Sequence, residues 1–339
     1  MKKLAITSAL LTTIFITPVQ AGVIWDFNYT DVNTGFNDIN LGSARQNALQ
    51  SAGDYVSSFL TGYDATINMD VDGSATGNSL LAAAGTNYTN ASYSAGFTER
   101  GDVMTKILGG NSADPDSNVS DGSVTWNFNQ SWALGDIFNI GEFDFFSTAV
   151  HELTHALGFA SEILETGSDG YSTASGDPGA WAPFDEFLTS FDGTPLIDSA
   201  SILDGSLWDD TKISLDGNGT SGCDAGVLFN GANAVAANGG QAVQIYAPGA
   251  WEDGSSGSHL DDNCYTHSGN VSSYMMEAQT ITGLGVREYS ALEIGMMQDI
   301  GYTKFGKAVA TSVPEPTTAI LMFGGILALS GLRRKNKVS

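Results

Sequence analysis

The stretch of this chain whose residue types and spacing could do chemistry is His151-Glu152-Leu153-Thr154-His155. On a helix, residues four apart lie one turn from each other, so both imidazoles reach the same side. Together they can hold one tetrahedral metal ion, with ligand nitrogens at ~2.0–2.1 Å from Zn²⁺. Glu152 stands beside the pair, close enough to meet a water at the metal without ligating it. This is the equipment for hydrolysis by a zinc-activated water with Glu152 as general base.

A catalytic zinc needs a third protein ligand and an open fourth position. Ser161 is a poor ligand, and Glu162 lies ~10 Å beyond His155 along any continuing helix axis, at 1.5 Å per residue. Gly158 lets the chain leave the helix, so the third ligand must come from further along. His259, His267 and Glu186 are the candidates, although Asp185 and Glu186 also read as a structural turn.

The elements that must position these groups are legible in part. Asp144 is a good N-cap ahead of the apolar run Phe145-Phe146-Ser147-Thr148-Ala149-Val150, so a helix starting there carries the motif. Residues 44–60 have apolar positions at helical spacing, and 101–108 resemble a short helix. Residues 65–71 and 123–132 alternate as strands do. Helix, strand, helix, strand and a long helix predict an α+β chain with a mixed sheet backed by helices. Residues 167–257 are rich in Gly, Ser, Asp and Asn, with ordered pieces at 182–188 and 242–246, and predict a loop-rich subdomain.

The order of motifs resembles the leishmanolysin-like branch of the metzincin zinc metalloproteases. The match rests on His151-Glu152-Leu153-Thr154-His155-Ala156-Leu157-Gly158-Phe159, then an insertion, then Ser258-His259-Leu260-Asp261. Tyr274-Met275-Met276-Glu277 follows, and a final run ends in Asp299-Ile300-Gly301-Tyr302. The resemblance implies a zincin/metzincin-like fold. Its mixed twisted sheet and active-site helix form the N-terminal part; a loop-rich insertion of about 160–257 and a C-terminal helix form the lower subdomain. It implies His259 as the third zinc ligand and Met276 as the methionine beneath the metal, with Met275 as neighbouring alternative. It also implies that an edge strand, here 123–132, pairs with an extended protein or peptide substrate. The chain departs from the pattern in three places: Leu260 stands where tryptophan often follows the late histidine, the insertion does not align, and no cysteine-rich C-terminal domain is evident.

Composition sets the compartment. The 339 residues carry 38 Asp+Glu against 13 Lys+Arg, a formal net charge of −25. Phosphate binding needs a basic face, so nucleic acid is excluded as a partner. Lys2 and Lys3, an apolar run and Pro18-Val19-Gln20-Ala21 form a secretory signal over residues 1–21. After the catalytic domain, 22–312, residues 313–339 begin Val313-Pro314-Glu315-Pro316, continue through a short apolar segment and end in Arg333-Arg334-Lys335. This tail resembles the bacterial PEP-CTERM sorting signal. It implies export across the inner membrane and processing by signal peptidase and an exosortase. The membrane would be met only through this short C-terminal segment, leaving the body at the cell surface or outside the cell. Cys223 and Cys264, an even pair in an oxidising compartment, predict a disulfide.

Asp-Gly clusters at 70–73, 114–116 and 216–218 lack the full spacing of a calcium loop, so Ca²⁺ has no complete motif and solvated turns are favoured. Besides a secreted zinc endopeptidase, two other functions fit the sequence. One is a surface or biofilm-matrix protein whose zinc is structural or vestigial; the other is a hydrolase of non-peptide amides.

Overall fold

The computed structural model describes residues 22–307 apart from 75–79, 90–91, 175, 212–222, 224–225, 249 and 266–272. The predicted signal segment and the sorting tail with its short membrane segment therefore lie outside the described residues. Among the described residues, no helix is long and apolar enough to cross a membrane.

The chain is α+β. β1 (Val23–Tyr29) alternates strictly, burying Val23, Trp25 and Phe27 and turning Ile24, Asp26 and Asn28 outward. α1 (Gly42–Ser57) buries Ala48, Leu49, Ala52, Gly53 and Val56, the one-face spacing of an amphipathic helix. It lies close on β1. A Cβ built on Gly53 would come within 3.1 Å of the Trp25 ring, so the small residue lets helix and sheet touch. β2 (Ala65–Ser74) follows, with Ile67, Met69 and Val71 buried.

β3 (Ala82–Thr86), α2 (Asp102–Gly109) and β4 (Gly122–Asn127) complete the main sheet, whose strand order is β1-β2-β4-β3. β1, β2 and β4 are parallel, whereas β3 pairs antiparallel with β4, placing Ala84 opposite Val124. This corrects the edge-strand expectation. β4 is an interior strand, and β3 covers the side expected to meet substrate. The chain also turns after β4, so Trp132 belongs to a separate short strand. β5 (Trp132–Ala133) pairs with β6 (Phe143–Asp144), which leads directly into α3 (Phe145–Ala156). Phe145 packs on Trp126 with ring centroids 4.0 Å apart, pinning the start of α3 to the sheet.

The insertion holds more regular structure than its composition suggests. β7 (Leu188–Ser190), α4 (Gly205–Thr211), β8 (Val227–Phe229), α5 (Ala232–Ala237) and β9 (Val243–Ile245) occur along it. The three strands form an antiparallel sheet in the order β7-β8-β9. α6 (Asp262–Tyr265) and α7 (Ala291–Asp299) follow.

Cys223 and Cys264 form the predicted disulfide, which closes the chain over 41 positions. That loop contains β8, β9 and His259. Loop-closure entropy puts its contribution at about 3–4 kcal/mol. Reduction should therefore lower the melting temperature by roughly 10 °C in a thermal scan with and without reductant. An unchanged melting curve would show that the bridge constrains nothing.

Of the clusters weighed for Ca²⁺, 114–116 has a different use. The Lys106 ammonium lies 2.8 Å from Asp114 and 2.9 Å from Asp121, all three buried or nearly so. A lysine cation thus fills the place a metal would need. Asp70 accepts from Asn28 and Ser120, and the 216–218 cluster lies outside the described residues.

Candidate metal centre

α3 begins and ends under tight control. Asp144 caps it by accepting the Ser147 N–H at 3.3 Å, and the same carboxylate receives Arg287 through Nε at 2.6 Å and Nη2 at 2.9 Å. At the other end Gly158 takes φ +97°, which a side chain disfavours, and the helix stops. The buried Tyr302 hydroxyl donates to the Leu157 carbonyl at 2.8 Å, so the Asp-Ile-Gly-Tyr segment leading out of α7 closes the end of α3.

The exit from α3 is fixed by Asp185. Its Oδ2 accepts the N–H groups of Ala182 at 3.0 Å and Glu162 at 3.1 Å. Asp185 is thus the structural turn expected, and Glu186 beside it is exposed. Burial pushes the Asp185 carboxyl up to about 7, against the hydrogen bonds that favour its charge. A folded-state pKa above the unfolded value means that ionisation opposes folding as pH rises from about 4 to about 7. Asp185→Asn should therefore gain stability relative to the parent between pH 5 and pH 8, by on the order of a few kcal/mol. Chemical denaturation of both proteins at the two pH values checks this; a pH-independent difference would refute it.

The three imidazoles of His151, His155 and His259 converge. Their Nε2 atoms form a triangle with sides of 3.1 Å (151–259), 3.1 Å (151–155) and 2.9 Å (155–259). Among the described residues this is the one group of three or more ligand-type side chains so arranged. Glu186 is not part of it, and His267 lies outside the described residues.

Each ring is held from behind by a backbone carbonyl. His151 Nδ1 meets Met275 O at 2.6 Å, His155 Nδ1 meets Phe159 O at 2.7 Å, and His259 Nδ1 meets Ser255 O at 3.0 Å. A carbonyl can only accept, so each Nδ1 carries the proton and each neutral ring presents a bare lone pair at Nε2. Three lone pairs facing one another at this distance repel unless a cation lies among them. Burial also opposes protonation of all three, and the neighbouring rings add to it at His155 and His259: His151 falls below its ordinary pKa, His155 falls well below it, and His259 falls to about 3. The donor set fits a divalent metal that favours imidazole.

The triad opens onto a cleft of about 960 Å³, bordered by residues 82–86 of β3, Glu152, Ser258, Tyr274 and Val286. Glu152 is buried beside the histidines, and its Oε2 accepts the Ala84 N–H at 3.0 Å. Ala84 therefore points its N–H away from β4 and into the site. Burial raises the Glu152 carboxyl to about 8, with the Ala84 hydrogen bond opposing the rise. Met275 borders the cleft, whereas Met276 is fully buried; both are anchored through their backbones. Met276 O accepts the Leu260 N–H at 2.8 Å, joining the Met275-Met276 segment to the one that carries His259.

Sequence reasoning missed β3. Ala-Ala-Ala-Gly-Thr has neither alternation nor β-branched side chains at its centre, so no local signal marks it as a strand. The three carbonyls behind the histidines are invisible to sequence because any residue type supplies them.

No known protein family matches the chain, and no curated protein or solved structure does.

Proposed function

We propose that the protein is a zinc-dependent endopeptidase of metzincin type, acting outside the inner membrane of a bacterium. The observation that carries this reading is the convergence of three proton-free Nε2 atoms beside a buried glutamate at an open cleft. His151, His155 and His259 would hold Zn²⁺. Bound there, the ion would supply Lewis acidity and bring the pKa of a water down toward ~7.

Glu152 takes the proton of the attacking water and delivers it to the leaving amine. The exposed edge of β3 receives an extended peptide by strand addition. A substrate carbonyl that accepts the Ala84 N–H displaces Glu152 from it, so docking frees the carboxylate at the moment it is needed.

The disulfide supports an oxidising compartment. With it go the remaining expectations: removal of residues 1–21 by signal peptidase, and processing of residues 313–339 by an exosortase. Substitution of Glu152, with hydrolysis and zinc content measured separately, tests the reading. Protein that holds zinc yet cleaves no peptide would point instead to a surface or matrix protein with a structural metal. Cleavage of cell-wall amides alone would point to a non-peptide amidase.

A further inference from the structure

A buried carboxylate stands behind the metal centre on a helix that supplies none of the three imidazoles. Glu293 lies in the first turn of α7 and is 1% exposed. Its Oε2 accepts the Ser290 N–H at 2.7 Å while Ser290 Oγ accepts the Glu293 N–H at 3.2 Å, a capping box. That motif needs one carboxylate oxygen. The other, Oε1, accepts the Met276 N–H at 2.8 Å. Among the described residues no lysine or arginine pairs with Glu293.

The Met276 N–H and the Met275 carbonyl are the two ends of one peptide group. At its far end that carbonyl receives His151 Nδ1–H at 2.6 Å, the shortest of the three contacts behind the imidazoles. Negative charge at the N–H end of a peptide shifts electron density toward its oxygen, and hydrogen bonds in series polarise one another. A more negative oxygen grips Nδ1–H harder and makes Nε2 a better donor to a metal. Zinc sites commonly gain this from a carboxylate placed directly on the histidine. Here a peptide group is interposed. The same turn also seats the late histidine, since Met276 O takes the Leu260 N–H at 2.8 Å.

We infer that Glu293 is a positioning residue of the metal centre, acting through the Met275–Met276 peptide to orient and strengthen His151 and to hold the His259 segment in place. The inference rests on the reading that the three imidazoles bind zinc.

A purely structural cap would give the same helix start, so the test must separate the two duties of Glu293. Zinc affinity is measured by chelator competition on the whole protein, for the parent, Glu293→Gln and Ser290→Ala. Glutamine has one oxygen for two N–H groups and carries no charge, so it either sets its amide N–H against the Met276 N–H or gives up the Ser290 N–H, and in both cases the charge behind His151 is gone. Glu293→Gln should weaken zinc binding by about 10–100-fold, the usual effect of losing an outer-shell partner. Ser290→Ala weakens the helix start yet should leave zinc affinity within about threefold, because Oε1 of Glu293 stays on Met276. Equal losses in both variants, or no loss in Glu293→Gln, would overturn the inference. If Glu293→Gln does not fold, the zinc-loaded parent still decides the matter by proton NMR. The His151 Nδ1–H should resonate furthest downfield of the three ligand rings, and any other order overturns the inference. A parent that binds no zinc at all would instead defeat the proposed function.

Discussion

Glu152→Gln is expected to lower kcat/KM for peptide hydrolysis by about 10²–10⁴-fold, the usual contribution of a positioned general base, while bound zinc stays near one per chain. In free energy this is ~3–5 kcal/mol of lost transition-state stabilisation. Glutamine preserves the shape of the side chain and one oxygen for the Ala84 N–H that now binds Oε2 at 3.0 Å. The change therefore removes a proton acceptor with little disturbance of β3. Because Glu152 is not among the three converging imidazoles, metal content should not follow activity. Turnover that survives the substitution would refute the assigned base. Loss of zinc together with turnover would mean that Glu152 holds the site together.

His259→Ala should strip the metal. Removing one of three Nε2 donors that lie within 3.1 Å of each other leaves two, both on α3, and the third corner of the triangle is gone. Zinc affinity should fall by more than the ~10–100-fold that an outer-shell substitution produces. A second readout follows from linkage. Metal present at about 1,000 times its Kd stabilises the folded state by ~4 kcal/mol. Zinc should thus raise the melting temperature of the parent and scarcely move that of His259→Ala. His267→Ala serves as the comparison and should keep both its zinc and its shift in melting temperature. Zinc loss from His267→Ala, with His259→Ala unaffected, would reverse the assignment of the third ligand.

Where periodicity was strong, the elements could be read locally. The spacing in 44–60 marks α1, the alternation in 65–71 marks β2, and the polar N-cap before an apolar run places the start of α3 at Asp144, where it lies. β3 shows the limit. Its strand character comes from pairing with β4 and from the Glu152 carboxylate on its outer side; alanine and glycine carry little preference of their own. The reading of 123–132 as the edge strand failed for the same reason. A strand alternates alike at an edge or in the interior, and only its neighbours distinguish the two. In the insertion, turn-forming residues dominate the composition, and short buried runs such as 227–229 are too brief to outweigh them.

For the site, sequence alone determined the pair of histidines on one helical face, the glutamate between them and the glycine at which the helix must end. These are local facts, set by 3.6 residues per turn and by the φ that glycine tolerates. Residue type and spacing narrowed the third imidazole only to His259 and His267, and the choice of His259 rested on the resemblance in motif order, because 104 positions separate His155 from His259 and no periodicity spans such a gap. Tertiary structure decided that corner of the triangle. It also decided the carbonyls that fix each ring's proton, the N–H of β3 against Glu152, and the carboxylate of α7 behind the Met275–Met276 peptide. Each of these depends on backbone groups, which are the same in every residue and acquire meaning only from what the fold brings against them.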